Sequence, residues 1–102
     1  MTAMDLEEIR RYVPQIYQIA AKFGISKIFI VGSVARGDQT LHSDLDLLIE
    51  IEEGTPLFNV AGFAYECERL IGKKIDVIPL SVIEKQSDQN FYKKIRKEAV
   101  PI

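Results

Sequence analysis

Residues 28–51 read IFIVGSVARGDQTLHSDLDLLIEI. A run of β-branched and aromatic residues, KIFIV, ends on Gly32 and Ser33, and a second run, DLDLLIEIE, opens on Asp44 and Asp46. The first has the composition of a buried strand. The second alternates, with Leu45, Leu47, Ile49 and Ile51 on one face and Asp44, Asp46, Leu48 and Glu50 on the other, which is the period of a strand. A short helical turn is expected from Val34. One strand enters this turn and the other leaves it, so the pair should be antiparallel, and the Gly-Ser corner and the two aspartates should share one end of a sheet.

The flanking sequence extends this pair into a fold. From Asp5 to Phe23, Leu6, Ile9, Val13, Ile16, Ala20 and Phe23 recur at helical spacing, with Asp5 and Glu8 as a capping pair, Gly24 as the stop and a kink or restart at Pro14. LFNVAGFAYECERLIG predicts a second amphipathic helix on Leu57, Val60, Ala61, Ala64, Cys67 and Ile71, preceded by Thr55 or Pro56 and ended by Gly72. KIDVIPL is a third strand ending near Pro79. From Asp88, DQNFYKKIRKEA predicts a closing helix with Phe91, Ile95 and Ala99 on one stripe. The helix between the second and third strands is long enough for a right-handed crossover, which makes those strands parallel. The expected fold is α/β (α+β): a small mixed three-stranded sheet with flanking helices, in the order α-β-(turn)-β-α-β-α.

Length and composition set limits on this picture. The 102 residues, 47% of them hydrophobic, suit one compact core, so a single domain over residues 1–102 is expected. Thirteen Lys and Arg against fifteen Asp and Glu give a net charge of −2, so no global field draws the chain to nucleic acid or membrane. One cysteine, Cys67, excludes an internal disulfide framework. The N-terminus is charged within a few residues, and the apolar runs fall far short of the ~20 residues of a membrane span. The expected compartment is the cytoplasm.

Asp44 and Asp46 are two apart in a strand, so their carboxylates face the same side. At about 5 Å and an effective dielectric near ~20 they repel by on the order of 3 kcal/mol, which favours a proton, a basic neighbour or a divalent cation between them, and magnesium suits such oxygen donors. Parallel pairing of the third strand brings Asp76 to the same end. There Gly32 lets a ligand approach the backbone, Ser33 offers a hydroxyl and an N–H, and the next turn presents free N–H groups, which together make a phosphate seat. Arg36 can add positive charge or brace the aspartates. Phosphate beside carboxylate-held magnesium is the arrangement for in-line phosphoryl or nucleotidyl transfer. Each feature alone has an ordinary structural explanation; their conjunction at strand ends points to chemistry.

The stretch GSVARGDQTLHSDLDLLIE resembles the GSxARG-x(n)-SDxD signature of the DNA polymerase beta-like nucleotidyltransferase superfamily, most closely the small stand-alone members called minimal nucleotidyltransferases, which serve as antitoxins to HEPN-domain toxins. The resemblance covers nearly the whole chain. It implies that Gly32 and Ser33 hold the triphosphate of ATP, that Asp44 and Asp46 bind two magnesium ions, and that Asp76 is the third carboxylate, a metal ligand and base. Arg36 and Gly37 fill the Arg-Gly positions of the pattern, and Ser43 precedes the aspartates as it requires. The implied reaction transfers AMP from ATP to a tyrosine hydroxyl of a HEPN-type toxin in a hetero-oligomer. Larger relatives carry further domains that grip base and acceptor; here the acceptor is expected to bring its own recognition surface. Two other readings are a binding module that silences its partner by covering it, and transfer to RNA or a small molecule, which the acidic balance disfavours.

Other residues carry less. His42 is expected in solvent, Cys67 in the core, Tyr12 and Tyr17 over the core or at an interface, and KKIRKE as a basic patch on one solvated helix face.

Overall fold

The computed structural model describes residues 4–85 and 89–102. α1 (Leu6–Arg10) is capped by Asp5, whose side chain accepts the Glu8 N–H at 2.9 Å. α2 (Val13–Phe23) carries Pro14 in its first turn, where a missing N–H leaves no bond unmade, so the chain restarts there rather than kinking. Gly24 ends α2 and leads directly into β1 (Ile25–Val31), which α3 (Gly32–Arg36) follows without a connecting residue. Then come β2 (Leu45–Ile51), α4 (Asn59–Ile71), β3 (Ile75–Pro79), α5 (Leu80–Glu84), α6 (Gln89–Glu98) and β4 (Val100–Pro101).

The sheet order is β3-β2-β1-β4. As the connections require, β1 and β2 are antiparallel, with Val31 opposite Asp46, and β2 and β3 are parallel, with Leu45 beside Ile75 and Asp46 beside Asp76. The expected three strands are joined by a fourth. β4 pairs antiparallel with β1 through Val100 and Pro101, a ladder too short to show a period in sequence.

Both faces of the sheet are covered. Leu45, Leu47 and Ile49 pack with Ile9, Ile16, Ala20, Phe63 and Cys67 beneath α1, α2 and α4. On the other face Val31 and Leu48 pack with Ile83 of α5 and Ile95 of α6. Leu48 sits among the acidic residues of its strand because that face has its own smaller core. Among the described residues no helix is long and apolar enough to cross a membrane.

Three details differ from expectation. α4 begins at Asn59, so Leu57 lies in the preceding turn, 61% exposed; Ala61 is exposed, and the buried stripe is Phe63, Cys67 and Ile71. α5 was not expected. The stripe packed from α6 is Tyr92 and Ile95, continued by Ala99 just after the helix, while Phe91 remains 43% exposed; Asp88, the expected start of this helix, lies outside the described residues.

Candidate active site

The junction of β1 and α3 decides where the aspartates meet the backbone. Gly32 has φ +77°, a left-handed conformation that residues with a Cβ rarely adopt. A Cβ placed there would run into Asp46 Oδ2 and lie 3.3 Å from Asp46 Cγ, so the space a side chain would need is filled by the carboxylate. Val31 pairs with Asp46 across the ladder, and the chain can turn away from β1 directly above that carboxylate only with glycine at the next position. Gly37, also left-handed at φ +79°, ends the short helix after one turn.

Asp46 is flanked by carboxylates. Its neighbour in β3 is Asp76, and Asp44 lies two residues before it, just ahead of the strand. Burial raises the Asp46 pKa first, the charges of Asp76 and Asp44 raise it further, and so does a hydrogen bond shared with Asp76; Arg36 opposes them weakly. Each of the first three influences penalises the charged form of Asp46, and the one cation that acts on it, Arg36, does not offset them. Asp44 and Asp46 are half-buried and Asp76 is exposed. Among the described residues, no three His, Cys, Asp or Glu side chains are gathered so that they could hold a metal ion as they stand. Their donor chemistry nevertheless fits a hard dication: all are oxygen ligands, and the centre of the cluster is short of positive charge.

A cleft of about 400 Å³ lies beside them, with Gly32, Ser33, Arg36 and Asp46 on one side and Phe91, Lys94 and Glu98 of α6 on the other. Asp44, Asp76, Gly37 and Ser43 are not part of its lining. Ser43 shapes the turn into β2: its Oγ accepts the Thr40 N–H at 2.9 Å and its own N–H reaches the Thr40 carbonyl at 3.1 Å. Among the described residues Arg36 makes no hydrogen bond to Asp44, Asp46 or Asp76. Its Nε meets Asp38 Oδ2 at 3.3 Å and its Nη1 lies 3.4 Å from each carboxylate oxygen of Glu98, pairings that raise its pKa, Asp38 more than Glu98.

The sequence reading did not single out Glu98, Lys94 or Phe91 for the cleft. Glu98 lies within a basic run, and the packing of Ile95 on Val31 and Leu48 together with the pairing of β4 with β1 places the end of α6 near Gly32. Cys67 is fully buried, and burial pushes its thiol up to about 12, with help from the Glu66 charge. Tyr12 and Tyr17 pack against the larger core, and His42 is exposed.

A mixed sheet whose central strand opens on aspartates beneath a glycine-led turn is the frame of a nucleotidyl-transfer site. The family model described as "Nucleotidyltransferase domain" matches residues 6–102, and the chain belongs to that family: it is a nucleotidyltransferase. It is 38% identical over 80 residues to MJ0435 of Methanocaldococcus jannaschii, which carries the provisional name of a protein adenylyltransferase; the match spans 78% of this chain and 83% of the relative. A solved structure described provisionally as a minimal nucleotidyltransferase superposes with a TM-score of 0.80 at 31% identity, covering 97% of each chain. A solved toxin–antitoxin structure with AMP-PNP superposes with a TM-score of 0.66 over 86% of this chain and 69% of that one; at 13% identity it shares the fold alone.

Proposed function

We propose that this chain is a magnesium-dependent protein adenylyltransferase that acts as an antitoxin, transferring AMP from ATP to a tyrosine hydroxyl of a HEPN-type toxin partner in the cytoplasm. The observation that carries this reading is the seating of Gly32 directly over Asp46, which joins an anion-accepting backbone turn to a cluster of carboxylates. The provisional name of MJ0435 supports a protein acceptor, and the toxin–antitoxin structure with AMP-PNP supports a toxin partner and an adenine nucleotide.

Asp44, Asp46 and Asp76 would hold the magnesium. Held there, it would supply positive charge to offset the triphosphate and Lewis-acid chemistry for the transfer. Gly32 and Ser33 orient the triphosphate, with Arg36 facing its outer oxygens and Gly37 and Ser43 fixing the turns on either side. Asp76, the most exposed of the three carboxylates, accepts the proton of the incoming hydroxyl. The tyrosine oxygen bonds to the α-phosphorus as the bond to the β-phosphate bridging oxygen breaks, and pyrophosphate leaves.

A second reading, steric silencing of the partner, is favoured by one observation. Phe58, the N-cap residue just before α4 and 78% exposed, and Tyr65 within α4, 59% exposed, are seven residues apart, two exposed aromatic side chains available to a partner. Incubating the protein with its toxin partner, ATP and magnesium, then weighing the partner by intact mass spectrometry, separates the two. Our reading expects one AMP added to a tyrosine, and no addition in EDTA. A silenced but unmodified partner would establish the steric reading instead.

A further inference from the structure

α6 carries Lys93, Lys94, Arg96 and Lys97, and its last residue, Glu98, is the only acid within it. A carboxylate at a helix C-terminus faces the negative end of the helix dipole and should be found elsewhere unless something else holds it. Glu98 is held. Its Oε1 accepts the Gly32 N–H at 3.2 Å, Arg36 Nη1 lies 3.4 Å from both of its oxygens, and its side chain is only 14% exposed. The α6 cations around it are exposed.

Gly32 and Arg36 are groups that the proposed function assigns to the triphosphate. A carboxylate bound to a backbone N–H and an arginine makes the same charge-assisted bonds that a phosphate would make. We propose that Glu98 is an intramolecular occupant of the anion seat: nucleotide binding requires its carboxylate to leave Gly32 and Arg36, which makes Glu98 a gate on nucleotide affinity. The inference rests on the nucleotide reading of this cleft. The single Gly32 N–H is taken by Glu98, and Arg36 already divides its donors between Asp38 at Nε and Glu98 at Nη1, so a triphosphate on these same donors competes with Glu98 as well as with water. Lys94, one turn back on the same wall of the cleft, remains as a cation when Glu98 has swung out. The backbone at Glu98 is anchored by β4, which begins two residues later and pairs with β1, so the opening is a side-chain movement.

The opposite role, in which Glu98 braces Arg36 for the nucleotide, predicts the opposite sign. Calorimetric titration of wild type, Glu98→Gln and Glu98→Ala with ATP, inorganic tripolyphosphate and adenosine, all with magnesium, decides between them, with thermal melts of each protein alongside. If the seat is open in about a tenth of molecules, freeing it tightens binding about tenfold. The expected result is that both variants bind ATP and tripolyphosphate about tenfold more tightly while adenosine is unaffected. Unchanged or weaker ATP binding by folded Glu98→Gln would overturn the gate and leave the nucleotide site standing. No binding of ATP or tripolyphosphate by any of the three proteins would overturn the nucleotide reading itself, and the gate with it.

Discussion

Asp46 is the residue on which the charge balance of the corner turns. Its folded-state pKa is raised, by burial first and then by Asp76 and Asp44, so its ionisation is unfavourable in the folded protein and ordinary in the unfolded chain. The stability that Asp46 contributes is therefore complete below its ordinary value of 3.8 and is lost as pH rises through the raised folded value. Asp46→Asn removes this titration. In metal-free buffer at pH 7 the variant should melt a few degrees above wild type, and the gap should close as pH falls toward 4. Melts of the two proteins across that range check it; a variant that melts lower at pH 7 would show that the carboxylate has a stabilising partner there. Gly32 belongs to the same balance, since its missing side chain leaves room for the carboxylate.

At the scale of elements, β4 ties the end of the chain to the sheet and so sets the position of Glu98. The Ile102 N–H donates to the Ile28 carbonyl at 3.2 Å, and the Tyr17 hydroxyl of α2 donates to the Ile102 carbonyl at 3.0 Å. Tyr17→Phe keeps the ring against the core and removes the second bond. It should cost about 0.5–1.5 kcal/mol, lower the melting temperature by several degrees and speed amide exchange at Ile102. Unchanged exchange there would mean that the ladder to β1 holds the terminus without help from α2.

The elements also show what the sequence could and could not reveal. β1 and β3 were legible as apolar runs and β2 by its alternation, and the α4 crossover favours a parallel β2 and β3, which places Asp76 beside Asp46. β4 was not legible: two residues carry no period, and one is Pro101, which suits a sheet edge and otherwise reads as a stop. With β4 unseen, nothing in KKIRKE marked Glu98 as different from a solvated charge. The alternation of β2 was read correctly, yet Leu48 on its acidic face made sense only once α5 and α6 covered that side of the sheet.

For the molecule as a whole, a net charge of −2 offers a triphosphate no general attraction, so the proposed affinity has to be local, resting on an N–H, a hydroxyl, Arg36, Lys94 and whatever cation the carboxylates gather. The fold delivers these groups to one corner from three separate parts of the chain, the β1–α3 junction, the starts of β2 and β3, and the face of α6. If that corner transfers a nucleotide, Asp44, Asp46 and Asp76 must act as a unit. The rate of AMP transfer to the partner, followed with labelled ATP and magnesium for wild type and for Asp44→Asn, Asp46→Asn and Asp76→Asn, tests this most directly. We expect each substitution to slow transfer by at least ~100-fold in a protein that remains folded. Transfer within a few-fold of wild type in any folded variant would contradict the assignment of that carboxylate, and in all three would move the chemistry away from this corner.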